Sequence, residues 1–147
     1  MQKIVWCFTI LFMMVWFSAC GEQEEGADGL SEFERNYGIG PITERLDIGD
    51  LDMEMAQEGK RIFETFCQAC HQLDSRITGP RMRNVANERE PEFIMNYILN
   101  PTENREKHPI GQELDEEYAI QMVSMGLSQE DARKVLEFLR AAAENEI

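Results

Sequence analysis

Two cysteines and a histidine stand within five residues of one another in the run Cys67-Gln68-Ala69-Cys70-His71. Thiols at this spacing can add to the two vinyl groups on one edge of a porphyrin, because one turn of chain brings both sulfurs to that edge. The imidazole that follows would then lie under the iron as its proximal ligand. The run therefore predicts one covalently attached c-type haem, held by Cys67 and Cys70, with His71 on the iron.

Other uses of these side chains have to be weighed against a haem. A structural zinc site needs four ligands, and after the N-terminal apolar segment only Cys67, Cys70, His71 and His108 offer sulfur or imidazole donors. A redox-active dithiol should follow a strand in a strand-helix-strand pattern, which the sequence does not show. A further alternative is a pair of buried thiols next to a surface histidine. His108 itself is expected to be a surface loop residue, and a second imidazole ligand to the iron is its alternative role.

The N-terminal segment is typical of an export signal. Lys3 precedes an apolar run from Ile4 to Phe17 that is short for a membrane span. The run closes in Phe17-Ser18-Ala19-Cys20, which resembles a bacterial lipobox with Phe17 in the place of the usual leucine. Residues 1–19 are therefore predicted to be a lipoprotein signal peptide and Cys20 the lipidated residue, with ordinary cleavage or an uncleaved anchor as alternatives. Lipidation would hold the exported protein at the inner or outer membrane, facing the periplasm or the cell surface.

Residues 20–50 are predicted to be an acidic, flexible tether, because they are rich in glycine and acidic residues and show no helical or strand periodicity. Within them, the less polar piece from Tyr37 to Ile42 is a candidate for docking on the folded domain. The formal net charge of the chain is −14, and loss of Lys3 with the signal would make it more acidic. Such a charge excludes nucleic acid as a partner. Acidity more often serves solubility than recognition, but a protein partner recognised through it should present a basic rim.

The elements that must position the Cys-His run are helices, and residues 51–147 are predicted to form one all-α domain. From Met53 to Cys67 the apolar residues fall on one helical face. Gly59 lies on that face, which indicates that another helix crosses closely there. Ser128, with an acidic residue three positions later, predicts an N-cap and capping box for a last helix that ends near Glu144.

These features together resemble class I cytochromes c, and the sequence of the chain is similar to those of small, exported monohaem cytochromes of Gram-negative bacteria. The resemblance covers about Gly38 to Ala143. It rests on the run Gly38-Ile39-Gly40-Pro41, Cys67 to His71, Gly79-Pro80, Pro91 to Pro101, and Leu127 to Leu139. It implies three to five helices around one covalently bound haem, with crossing N- and C-terminal helices and a middle helix that starts at Pro91 and packs on one haem edge.

The resemblance also implies roles on the proximal side of the iron. The Pro80 carbonyl would accept a hydrogen bond from the second ring nitrogen of His71 and so fix its tautomer. Arg81 or Arg83 could pair with a haem propionate, since a guanidinium binds a carboxylate in bidentate fashion. Met82 lies only two residues from Pro80, which is too few to reach the other face of the porphyrin, and is predicted to pack instead.

The sixth iron ligand is expected in the loop before the last helix. Aligning that loop with the family pattern places the ligand at Met122, with Met125 as the alternative. Val123 stands where the family commonly has a proline. An iron ligated by histidine and methionine would have both axial positions filled, which leaves no place for a substrate.

The expected function is therefore electron transfer rather than catalysis. The chain would be a membrane-tethered one-electron carrier between a quinol-oxidising complex and a terminal oxidase or reductase, nitrous oxide reductase being one such partner of the group it resembles. Two alternatives remain open. One is a haem protein whose labile sixth ligand permits gas binding or catalysis, and the other is a fixed subunit of a respiratory complex.

Overall fold

The computed structural model describes residue 26 and residues 28–147, and within them the chain is helical without strands. The described part contains seven helices: α1 (Glu32–Tyr37), α2 (Met53–Phe66), α3 (Val85–Glu88), α4 (Pro91–Leu99), α5 (Pro101–Lys107), α6 (Pro109–Glu117) and α7 (Gln129–Ala143). The all-α prediction is confirmed, with more helices than the expected three to five because four short ones accompany the three foreseen. In this part of the chain no helix has both the length and the apolar character needed to cross a membrane. The predicted signal peptide and Cys20 lie outside the described residues.

The two longest helices, α2 and α7, cross as expected. The Ser128 hydroxyl accepts a hydrogen bond from the Asp131 amide while the Asp131 carboxylate accepts one from the Ser128 amide, so the predicted capping box starts α7. At the crossing the rings of Phe63 and Phe138 lie 5.1 Å apart between centroids. Gly59 meets the backbone of α7 directly, which explains a glycine on the apolar face of α2.

Helix α4 completes the core by packing against α7. Its first residue, Pro91, is the predicted helix start, because a proline at that position loses no intrahelical hydrogen bond. The buried core cluster contains Ile42, Phe63 and seven residues of α4 and α7, which are Ile94, Met95, Ala132, Val135, Leu136, Phe138 and Leu139. The three helices α2, α4 and α7 are here called the frame.

The segment Leu30–Ile48, here called the strap, is folded against this frame. It contains α1 and buries Leu30, Ile39 and Ile42. The prediction of a flexible tether over residues 20–50 is therefore wrong for the strap, while the docking suggested for its less polar piece is correct. The rest of the predicted tether before residue 28 lies, apart from Gly26, outside the described residues.

Two buried asparagines hold the strap in place. Asn96 on α4 accepts a hydrogen bond from the Ile42 amide at 2.9 Å, and its amide group donates to the carbonyls of Tyr37, Gly38 and Ile42. Asn104 on α5 makes a reciprocal pair with the backbone of Ile39, at 2.9 and 2.6 Å. These partners are more than fifty residues away along the chain, so the sequence pattern of the strap alone cannot reveal them.

An ion network fixes the far end of the strap to α7. Glu137 is fully buried, and its carboxylate pairs with Arg133 and, at 2.6 Å, with Arg140. The same carboxylate accepts a hydrogen bond from the Asp52 amide, and the two arginines donate to the Ile48 carbonyl. Because every charge in it is paired and hydrogen-bonded, this buried network is tolerated in the core.

Helices α5 and α6 were not foreseen, and His108 joins them. The expectation that His108 is a surface loop residue is wrong, because only 1% of it is exposed. Its Nδ1 accepts a hydrogen bond from the Ile110 amide and so caps α6, while Nε2 lies 3.2 Å from the Arg35 carbonyl. Both ring nitrogens are thus engaged within the fold, which argues against His108 as an iron ligand.

Candidate haem site

The Cys-His run forms one tight turn at the end of α2. Cys67 is the C-cap residue of α2, and the amides of Cys70 and His71 both donate to its carbonyl, at 3.0 and 2.8 Å. Cys67 is half-buried and packs against the core cluster, whereas Cys70 is exposed. The turn therefore brings two thiols and one imidazole together on a single rigid support.

The electrostatics of the turn do not suit a redox-active dithiol. Burial, assisted by the neighbouring Cys70, raises the pKa of the Cys67 thiol to about 11. Reactive dithiols depend on a lowered thiol pKa, commonly at a helix N-terminus, whereas Cys67 stands at a helix C-terminus, where the dipole disfavours a thiolate. A zinc site is not assembled either, since His108 is held at the strap and no group of three or more His, Cys, Asp or Glu side chains suited to a metal ion occurs in the described residues.

His71 is prepared for metal ligation by the hydrogen bond expected from the resemblance. Its Nδ1 lies 3.1 Å from the Pro80 carbonyl oxygen. Because that oxygen can only accept, Nδ1 carries the proton and the lone pair of Nε2 remains available. Burial lowers the pKa of His71, which favours the neutral imidazole that a metal requires.

Gly79 lies in close contact with the imidazole of His71. A Cβ at position 79 would lie 2.5 Å from the His71 Cε1 and 3.2 Å from the Cys70 carbonyl oxygen, so any larger residue would displace the ring or the turn. The Gly79 amide also donates to that carbonyl at 2.8 Å. Glycine at this position is therefore required by close approach to the ligand rather than by the turn alone.

The loop between His71 and Pro80, residues 72–79, is here called the proximal loop, and its base is closed by backbone pairing. The Met82 amide donates to the Gln72 carbonyl at 2.9 Å and the Arg83 amide to the Leu73 carbonyl at 3.0 Å. Met82 packs against the core cluster, in agreement with a packing role.

The two candidate arginines for a haem propionate differ in their surroundings. Arg83 binds both carboxylate oxygens of Asp74 and donates to the Ala142 carbonyl at 3.1 Å, so it fastens the proximal loop to the end of α7. It is therefore not free for a propionate. Arg81 is exposed and makes no hydrogen bond within the described residues, so it remains the candidate.

The candidate sixth ligands lie on an irregular stretch, residues 118–128, here called the distal segment, between α6 and α7. Met122 is half-buried, whereas Met125 is 42% exposed. The choice of Met122 over Met125 as the ligand stays a prediction.

The segments around the Cys-His turn carry the apolar surface that a porphyrin needs. Large hydrophobic side chains are exposed at the end of α2, in the proximal loop and in the distal segment: Phe66, Ile77, Ile120, Val123 and Met125. Together with two thiols for vinyl groups and a free imidazole nitrogen for iron, this donor set fits a covalently bound haem.

One contact at this site was missed by the sequence reasoning. Arg76 in the proximal loop donates hydrogen bonds to the carboxylate and to the backbone carbonyl of Glu117, and its guanidinium lies over the ring of Tyr118. Arg76 and Glu117 are 41 residues apart, and the sequence around an arginine in a polar loop does not indicate which residue it will contact.

Comparisons with known proteins agree with this reading of the site. The cytochrome c family model matches residues 56–143. A solved cytochrome c from Rhodothermus marinus is 42% identical, with 76% of this chain and 97% of that chain covered and a TM-score of 0.72. An engineered cytochrome c from Rhodothermus marinus, Rma TDE, is 40% identical, with 76% of this chain and 97% of that chain covered and a TM-score of 0.71. The structure of Rma TDE bound to a carbene intermediate is 41% identical, with the same coverage of both chains and a TM-score of 0.69. A search of curated proteins found no match.

The family match spans more than half of the chain, and it includes the Cys-His run, the Gly-Pro pair and the crossing helices. Members of this family bind haem c covalently and transfer electrons through its iron. The chain therefore belongs to the cytochrome c family, has the class I fold, and takes one covalently bound haem c as its cofactor.

Proposed function

We propose that this protein is a one-electron carrier, tethered to a membrane and working between components of a respiratory chain. The observation that carries the proposal is the hydrogen bond from His71 Nδ1 to the Pro80 carbonyl, which leaves Nε2 as a fixed, unprotonated donor beside two thiols. When bound, haem c supplies an iron that cycles between the ferric and ferrous states.

Each residue of the site has its own role in binding the haem. Cys67 and Cys70 form the two thioether bonds, and His71 is the proximal ligand. Pro80 keeps the imidazole in one tautomer and raises its basicity as a donor. Met122 is the distal ligand, and Arg81 pairs with a propionate.

The proposed anchor is supported by the lipobox-like sequence that ends in Cys20, and the proposed partners by the charge of the chain. Lipidation of Cys20 anchors the protein after removal of residues 1–19, with the domain facing the periplasm. The acidic net charge favours partners with a basic rim around their own redox centre, such as a quinol-oxidising complex and a terminal oxidase or reductase. Metabolic labelling with a fatty acid should mark the parent protein but not the Cys20→Ser variant, and an unlabelled parent would reject the lipid anchor.

The absorption spectrum of the reduced protein, recorded before and after addition of carbon monoxide, tests the carrier function. A spectrum that does not move means that both axial positions are held, as a carrier requires. Rapid binding of carbon monoxide would instead indicate an open or labile sixth position, and the carrier proposal would have to be abandoned.

One observation favours that second candidate, a haem protein with a labile sixth ligand. The distal segment has no helix, and Val123 follows Met122 where a proline would stiffen the chain. A similar protein, the engineered cytochrome c Rma TDE, has been solved bound to a carbene intermediate, which supports keeping this candidate. Co-purification with a membrane complex that survives high salt would favour a third arrangement, in which the protein is a fixed subunit.

A further inference from the structure

We infer that Arg76 is a positioning residue, which holds the distal segment closed by clasping its first residues to the proximal loop. This inference rests on the proposed role of Met122 as the sixth ligand. It concerns the contact of Arg76 with Glu117 and Tyr118, here called the clasp.

The clasp consists of three contacts made by one guanidinium. Arg76 Nη1 donates to the Glu117 carboxylate at 2.6 Å, and Nη2 donates to the Glu117 backbone carbonyl at 3.1 Å. The Cζ atom lies 4.2 Å from the centroid of the Tyr118 ring. Because a guanidinium is planar, these contacts together fix both the position and the direction of the chain where it leaves α6.

The clasp joins two parts that are each rigid on their own. The proximal loop is closed at its base by the His71 to Pro80 hydrogen bond and by the backbone pairing of Met82 with Gln72. On the other side, Glu117 is the last residue of α6, and α6 packs closely on α5 through Gly111. A cleft lies where the proximal loop meets the start of the distal segment, and the clasp residues line it together with Ile77, Thr78, Ala119 and Ile120.

Between its two ends the distal segment has little to hold it. At the C-terminal end the capping box of α7 fixes Ser128. Across residues 119–127 the described hydrogen bonds are limited to one of 3.4 Å, from the Gly126 amide to the Ser124 hydroxyl. The path of Met122 is therefore set by its two ends, and Arg76 acts at the end that leaves α6, where the Tyr118 amide also donates to the Leu114 carbonyl at 2.9 Å.

The clasp should act more strongly than an ordinary surface ion pair. Both Arg76 and Glu117 are about half exposed, so their charge attraction alone would contribute little and would be screened by salt. The backbone hydrogen bond at the C-terminus of α6 and the stacking on Tyr118 add to it. Loss of all three contacts should raise the population of the open distal segment by about five- to twentyfold.

The test uses the ferric holoprotein and the rate at which free imidazole binds to it. Arg76→Gln is compared with Arg61→Gln, which makes the same change of charge at an exposed site whose nearest carboxylate, on Glu58, is 3.9 Å away. We expect the Arg76 variant to bind imidazole about five to twenty times faster and the Arg61 variant to remain within about twofold of the parent. Equal rates in all three proteins, or equal acceleration in both variants, would overturn the clasp.

Hydrogen exchange of the backbone amides of residues 119–127 gives a readout that does not depend on ligand binding. We expect faster exchange there in Arg76→Gln and unchanged exchange in α2 and α7. Tyr118→Leu should act in the same direction as Arg76→Gln, while Tyr118→Phe, which keeps the ring, should not. Unchanged exchange in Arg76→Gln would reject the inference.

The failure of the clasp and the failure of the carrier function are distinguishable. If the parent protein holds its sixth ligand against carbon monoxide and the Arg76 variant behaves like it, only the clasp is wrong. If the parent already binds carbon monoxide readily, the carrier function fails, and the exchange of residues 119–127 still decides whether Arg76 orders the segment.

Discussion

Gly59 on α2 lies directly against the backbone of Lys134 on α7, so a Cβ atom at position 59 would collide with the Lys134 carbonyl oxygen. The collision is with backbone rather than with a flexible side chain, and it could be relieved only by moving the two longest helices apart. Added volume at this contact is therefore poorly tolerated.

Gly59→Ala should lower the stability of the holoprotein. Alanine favours a helix over glycine by about 1 kcal/mol, but the forced separation of the helices should outweigh this gain and leave a net loss of about 1–3 kcal/mol. Urea unfolding measures the difference. Gln57→Ala, at an exposed position on the same helix, should be neutral or slightly stabilising, and a stabilised Gly59→Ala protein would contradict the close contact.

Met122→Ala should remove the sixth ligand. The reduced protein should then bind carbon monoxide, the thioether-to-iron charge-transfer band of the ferric protein should disappear, and the reduction potential should fall, because methionine ligation favours ferrous iron. Met125→Ala is the matched control, since it removes an exposed methionine from the same segment and should leave all three properties unchanged. The reverse pattern would assign the ligand to Met125.

Stability should depend on pH through His108. Burial lowers the pKa of His108 below its usual 6.5, and a proton added to Nδ1 would break the hydrogen bond from the Ile110 amide. Because the folded protein disfavours the charged ring, the stability from this residue is complete above about pH 6.5 and is lost as the pH falls from there through the lowered pKa.

Unfolding by urea between pH 5 and 8 measures this dependence. His108→Asn keeps a side-chain acceptor at the N-cap of α6 but cannot titrate in this range, so it should reduce the slope of stability against pH below 6.5. Its stability at pH 8 should be lower than that of the parent, since the hydrogen bond to the Arg35 carbonyl is lost. An unchanged slope would show that another group titrates.

Asn96→Ala should release the strap. The substitution leaves the Ile42 amide and the carbonyls of Tyr37 and Gly38 without their partner, and each unpaired buried group costs about 1–3 kcal/mol. The strap should then be cut by a protease under conditions where the parent is resistant. Asn87→Ala, at an exposed position in α3, is the control, and equal resistance in both variants would mean that the strap is held by other contacts.

The sequence was enough to predict those parts of the fold that depend on interactions between residues close together in the chain. Pro91 and the Ser128 capping box mark helix starts by chemistry contained within one turn, and the Cys-His run defines its own geometry. The Pro80 hydrogen bond followed from the resemblance rather than from any local rule. Helices α5 and α6 obey the same rule as α4, since each begins with a proline in its first turn, but neither helix was predicted from its proline.

The features that the sequence could not show depend on contacts between distant residues. Neither the strap nor the role of His108 can be deduced without knowing that Asn96, Asn104 and Arg35 come together. Arg83 was likewise treated as a candidate for a propionate because its pairing with Asp74 and the end of α7 requires the folded loop. The partner of a polar residue in a polar segment cannot be identified from the sequence without the three-dimensional course of the backbone.

The docked strap limits how far an anchored domain could travel. Leu30 is buried, and only ten residues lead from Cys20 to it, a length of chain that cannot exceed about 36 Å even when fully extended. A lipid at Cys20 would therefore confine the haem domain to a thin layer above the bilayer. A partner could exchange electrons with it only if its own redox centre opens into that layer.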